Sequence, residues 1–275
     1  MFDLNYQPIP ILLIGTYIVL ENFPNLKLQT GRPGAEKTFD LRPEAQYYVA
    51  ESYINLKNYQ KAIDFLLNYS SKYDSEENNH YRKLISERKS DAEVIDELPK
   101  SMDIELAILS SLSKSNDQKT AIREIPLQMR RFYIHAYQSY IFNKTLSMAF
   151  EYEEDLFTPQ ENDVCYDRTN KLGKFQNEPG QKLTIPLAGH SYFKKTRFDY
   201  YIQKTLEQEE ISPPEFLIKD FQEISIEGGF RNSAIHCDDF HISNDTVEFQ
   251  LPRGSYATIV IREILKPEDP LSCGF

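Results

Sequence analysis

The chain has 275 residues, 40% of them hydrophobic, with 18 Tyr, 17 Phe and a formal net charge of -11 at pH 7. That is enough apolar side chain to bury a substantial core in one large or two smaller domains, so the chain is expected to fold as a soluble protein. Three cysteines, Cys165, Cys237 and Cys273, are widely spaced and odd in number, which argues against a disulfide framework and for a reducing, cytoplasmic setting.

The most apolar run, Ile9 to Leu20, is too short for a bilayer span of roughly 20 residues and reads as a buried strand or helix. No membrane partner is therefore expected. From Pro43 to about Tyr73 the periodicity is helical: Tyr47, Ala50 and Ile54 share a face, and after a break at Lys57-Asn58 the pattern resumes with Ala62, Ile63, Leu66 and Leu67. The text AQYYVAESYINLKNYQKAIDFLL resembles one tetratricopeptide unit. Residues 77–110 do not repeat it, and one unit makes no solenoid. More polar helical segments follow at about 78–96 and 103–114, giving a helical subdomain over residues 41–120.

From Leu127 to Phe150 the pattern predicts a helix of a different kind, apolar and aromatic around most of its circumference and therefore buried. Arg131, His135, Gln138, Ser139 and Asn143 nevertheless fall within an arc of roughly 140° at 100° per residue. Beyond Phe157 the text turns to loops, then to a strand over Lys182 to Leu187 and a polar helix around Phe198 to Gln208. The last 60 residues read as strands and turns: Glu215 to Ile218, Gly228-Gly229, Thr246 to Leu251, the Pro252-Arg253-Gly254 turn, and Tyr256 to Ile264. In that last strand Arg262 ends an apolar run, where a guanidinium needs an anion.

Charge is unevenly spread. Residues 121–204 hold 12 Lys and Arg against 10 Asp and Glu, whereas residues 205–275 hold 5 against 14. A locally positive stretch can meet a polyanion even in an acidic chain. Arg130, Arg131, Lys144, Arg168, Lys171, Lys174, Lys182, Lys194, Lys195 and Arg197 are the candidate phosphate contacts.

Two segments carry a family resemblance: Arg130-Arg131-Phe132-Tyr133-Ile134-His135-Ala136-Tyr137-Gln138-Ser139-Tyr140-Ile141-Phe142-Asn143, and Leu251-Pro252-Arg253-Gly254-Ser255-Tyr256-Ala257-Thr258. They resemble the paired signature HAYQSYxFN and LPxGSYAT of the TruD family of tRNA pseudouridine synthases. Leu98-Pro99, Ile125-Pro126, Ile185-Pro186-Leu187-Ala188-Gly189 and Gly228-Gly229-Phe230-Arg231 follow in the order found in archaeal-type members. The resemblance implies an α+β fold with a mixed or antiparallel pseudouridine-synthase-like sheet and a mostly helical insertion. Residues 1–40 would be a diverged or incomplete remnant of the catalytic domain, 41–120 the helical subdomain, and 121–275 the α+β portion with the C-terminal strands of the catalytic sheet.

It implies tRNA as partner, not DNA, and isomerisation of a uridine in the D-arm region, position 13 in the family role. Breaking and remaking a glycosidic bond requires base extrusion and a carboxylate near the sugar or base, with a cation to orient it. No metal, nucleotide or redox cofactor is needed. The family's nucleophilic aspartate lies in a Gly-Thr-Lys-Asp motif, and that string does not occur in this sequence, so no catalytic residue is assigned. By analogy the site residues are Arg131, His135, Tyr137, Gln138, Ser139, Asn143, Phe230, Arg231, Arg253, Tyr256, Thr258 and Arg262, with Tyr256 as a face for the base and Arg262 as an ion-pair partner. A catalytically inactive RNA-binding relative and a tetratricopeptide-like interaction module are the alternative readings. His236-Cys237-Asp238-Asp239-Phe240-His241 holds metal-friendly side chains at a spacing that matches no zinc pattern.

Overall fold

A computed structural model describes residues 9–12, 58–72, 74–88, 93–243, 246–252, 255–268 and 273. Among the described residues, a short strand β1 (Ile9–Leu12) precedes five helices: α1 (Tyr59–Asn68), α2 (Glu76–Arg88), α3 (Glu93–Glu97), α4 (Asp103–Ser115) and α5 (Gln118–Glu124). The expected break at Lys57-Asn58 is a helix start, because the Asn58 side chain accepts a hydrogen bond from the Lys61 N–H. Asp117 caps α5 in the same way through Thr120. The first half of the tetratricopeptide-like text lies outside the described residues.

Helix α6 (Leu127–Glu151) is the spine of the molecule. Its N-terminal half buries Tyr133, Ile134, Tyr137 and Ile141 in the same core as α1 to α5 and residues 211–226. Its C-terminal half buries Phe142, Leu146 and Ala149 in a second core, against Leu183, Ile185, Phe198 and Tyr201. An expected boundary at residue 120 therefore falls inside α5, within a core shared by both sides of it.

That second core rests on an antiparallel sheet of order β3-β2-β4-β5, made of β2 (Val164–Tyr166), β3 (Leu172–Lys174), β4 (Lys182–Leu187) and β5 (Gly229–Asn232). Helix α7 (Asp199–Gln208) packs on α6. Pro186 lies within β4, but β2 pairs only as far as Leu183, so Pro186 has a strand neighbour on the β5 side alone.

The chain then leaves this sheet for a second, β1-β6-β7, formed by β1, β6 (Ala234–Ser243) and β7 (Thr246–Gln250). Val247 and Phe249 are half-buried while Thr246, Glu248 and Gln250 are exposed, as the alternation predicts. A small third core joins Cys237 to Val260 of α8 (Ala257–Leu265), with Phe249 and Ile264 packed on it.

Two expected strands are helical. The expected strand Tyr256 to Ile264 is instead α8 from Ala257 onward, because Val260, Ile261 and Ile264 make a helical stripe that can cover one face of the β6–β7 hairpin; a short β-branched run fits either period, and packing decides it. Glu215 to Ile218 is replaced by a 3-10 turn, Pro213–Phe216, because the Ser212 N–H donates to the Glu215 carboxylate at 2.5 Å and two prolines follow. The α+β class stands despite both changes.

Candidate functional site

Three of the signature segments converge on one seam. Gln138, buried on α6, donates from Nε2 to the Ala188 carbonyl at 2.7 Å, which ties HAYQSYIFN to the Ile185–Gly189 turn. Gly189 in turn lies against the strand-start segment: a Cβ there would meet Gly228 N at 2.4 Å and Glu227 C at 2.5 Å, so no side chain fits. Gly228 has φ +123°, a conformation that side chains rarely adopt. Backbone bonds from His190 N to Ile226 O (2.9 Å) and from Ser191 N to Glu227 O (3.0 Å) complete the joint.

This joint fixes β5 beside α6. Arg231 pairs with Ile185, whose side chain is in the second core, and turns toward the helix. Its guanidinium carbon lies 5.0 Å from the Phe142 ring centroid, and its Nη2 donates to Ser139 Oγ at 3.2 Å. Burial lowers its pKa from the ordinary arginine value. Phe230 points the other way, with its ring 5.9 Å from that of Phe193, which is 40% exposed.

The polar arc on α6 divides by depth. Arg131, His135 and Asn143 are exposed, Ser139 is half-buried, and these four recur every fourth residue along one edge of the helix. The stripe therefore faces outward, although the helix carrying it is largely buried. Arg131 also donates to the Glu223 carbonyl at 3.0 Å. Tyr137 is fully buried in the first core and presents no surface to a ligand.

The second signature lies elsewhere. Tyr256, at the start of α8, is 71% exposed, and Thr258 is exposed beside it. Arg262 pairs with its neighbour Glu263 at 2.9 Å, so its anion is local. Among the described contacts, none joins these three side chains to the α6–β5 seam. Arg253 lies outside the described residues.

Several expected phosphate contacts are already engaged. Arg130 is buried and pairs with Glu223 at 2.6 Å, Lys144 pairs with Glu209 at 2.5 Å, and Arg197 holds Asp163 at 3.0 Å as well as Glu154. Burial opposes the Arg197 charge, but these carboxylates keep its pKa raised. Arg168, Lys171, Lys174, Lys194 and Lys195 stand exposed on the basic middle of the chain, and Lys182 is half-buried at the start of β4. The His236–His241 run is spread along β6 with only Cys237 buried; among the described residues no group of His, Cys, Asp or Glu could hold a metal ion.

Sequence reasoning missed a clamp between the helical subdomain and residues 219–224. Asp220 receives Lys119 at 2.9 Å and the Tyr59 hydroxyl at 2.8 Å, while Arg123 lies 5.1 Å over the Phe221 ring. The hydrogen bond from Lys119 and then that from Tyr59 lower the Asp220 pKa. Nothing local marks these partners, which lie about a hundred residues or more apart in sequence.

No described helix is long and apolar enough to cross a membrane. The family profile for tRNA pseudouridine synthase D (TruD) matches residues 44–264. Among curated proteins, the chain is similar to one from Pyrobaculum islandicum named "Probable tRNA pseudouridine synthase D", with 34% identity over 64% of this chain and 43% of the relative. A Methanopyrus kandleri protein of the same name is 31% identical over 80% of this chain and 54% of its own length. The chain thus spans about half the length of the curated relatives it matches. A Methanosarcina mazei crystal structure named for the same family superposes with TM-score 0.69 at 23% identity, over 85% of this chain and 61% of that one, and shares the fold. A profile that covers residues 44–264, over landmarks that meet in space around α6, shows that this chain belongs to the TruD family.

Proposed function

We propose that the chain acts on tRNA as a TruD-type pseudouridine synthase, in which the α6–β4–β5 seam faces the RNA. The reaction is the family's: a uridine of the D-arm region, position 13, becomes pseudouridine. The observation that carries this reading is the meeting of three family segments through Gln138, Ala188, Gly189 and Arg231. What these residues supply is a shaped surface whose α6 and β5 segments, residues 127–150 and 229–232, carry no Asp or Glu; the attacking carboxylate is not assigned to any residue of this chain. The work is expected to take place in the cytoplasm, consistent with cysteines that form no framework.

One observation favours a second reading, an RNA-binding relative without catalysis: what the seam supplies, Arg231 and Ser139, is a cation and a hydroxyl suited to holding RNA. Incubation of the purified chain with an unmodified tRNA transcript, followed by chemical mapping of pseudouridine, separates the two. Product in the D-arm supports the enzyme. Absence of product with tRNA binding that weakens steeply as salt rises supports the binding protein. Absence of both contradicts each of them.

A further inference from the structure

We propose that the Arg231 guanidinium and the Ser139 hydroxyl, on the seam between α6 and strand β5, seat a phosphodiester group of the bound RNA. This rests on the tRNA reading above and assigns one contact within it. Among the described residues, every other arginine that is buried or half-buried has a carboxylate within 3.0 Å: Arg82 has Glu105, Arg88 has Glu97, Arg130 has Glu223, Arg197 has Asp163 and Arg262 has Glu263. Arg231 has none. Its neighbours are the Phe142 ring and the Ser139 hydroxyl, which orient a guanidinium without neutralising it. A desolvated cation so placed gains most from an anion arriving from outside, and the planar fork of arginine suits a phosphate.

The surroundings select against a carboxylate supplied by the chain itself. Residues 127–150 of α6 and 229–232 of β5 contain no Asp or Glu, in a chain with 42 of them. The edge of α6 on either side of Ser139 exposes His135 and Asn143, one turn away in each direction, both able to donate to further phosphate or ribose oxygens. A strand of RNA lying along this edge would meet the hydrogen-bond donors of His135, Ser139 and Asn143, with Glu223 at the Arg131 end paired to Arg130.

Filter binding of a tRNA transcript across a salt series tests the seat, with melting temperature recorded for each variant. Arg231→Gln is expected to weaken binding roughly tenfold and to lower the slope of log affinity against log salt by about one, as for one lost phosphate contact. Ser139→Ala is expected to weaken binding about threefold with melting unchanged, and Arg231→Lys to keep the slope while recovering only part of the affinity. Wild-type affinity and slope in Arg231→Gln would overturn the seat; if that variant fails to fold, wild-type affinity in Ser139→Ala does so. Should the wild-type chain bind no tRNA, the functional reading fails and the seat is decided by inorganic phosphate. Phosphate should then raise the melting temperature of the wild type and not of Arg231→Gln, and no rise in the wild type overturns the seat.

Discussion

Helices α6 and α8 carry the two strongest signature segments, and they are held in opposite ways. Helix α6 is gripped by two cores along 25 residues, whereas α8 lies on a hairpin through little more than Val260, Ile264 and Cys237. Equal strength as sequence text does not mean equal structural anchorage. The α6 segment packs into two cores of the described residues; the α8 segment leaves Tyr256 and Thr258 facing solvent.

The comparison breaks most visibly under core truncation. Phe142→Ala should cost about 3–5 kcal/mol in denaturant melts, since Phe142 lies within the second core and supports Arg231. Val260→Ala should leave the global midpoint almost unmoved and accelerate amide exchange only in β6, β7 and α8. Equal global effects of the two would mean that the C-terminal module is as tightly integrated as the spine. Next in size, Gly189→Ala forces a Cβ onto the Glu227 and Gly228 backbone and should destabilise by about 1–3 kcal/mol or more, with loss of the joint that orders β5.

Gln138→Leu removes the side-chain donor that Gln138 gives to the Ala188 carbonyl, buried between α6 and the turn, and should cost about 1–3 kcal/mol by equilibrium unfolding. The smallest effect concerns the clamp at Asp220. Its folded pKa is depressed, so its contribution is complete above the ordinary aspartate value of about 4 and is lost as pH falls through the lower folded value. Melting temperatures from pH 6 to pH 3 should therefore fall slightly less steeply for Asp220→Asn than for the wild type. Parallel curves would remove the clamp from the acid response.

Much of the fold was legible where one period dominated. The Asn58 break, the full length of α6 and the alternation of Thr246 to Gln250 all follow from spacing and caps, because local sequence and tertiary packing agree there. They part at Tyr256 to Ile264, where Ile259, Val260 and Ile261 suit a strand by propensity but cover a sheet as a helix. Depth along α6 was illegible for a similar reason. Gln138 and Ser139 are adjacent in the text, yet a rotation of 100° buries one against Ala188 and leaves the other beside Arg231. The charges of Arg130, Lys144 and Arg197 could be counted from sequence, but their carboxylates are between 34 and 93 residues away, beyond the reach of any local pattern.

The most direct test of the α6–β5 seam as the RNA face is amide hydrogen exchange of the chain with and without a tRNA transcript. We expect tRNA to slow exchange in residues 229–232 and in the exposed turns of α6 around residues 135–143, with little change in residues 59–115. Protection confined to residues 234–265, or none at the seam under conditions where tRNA is bound, would contradict that placement.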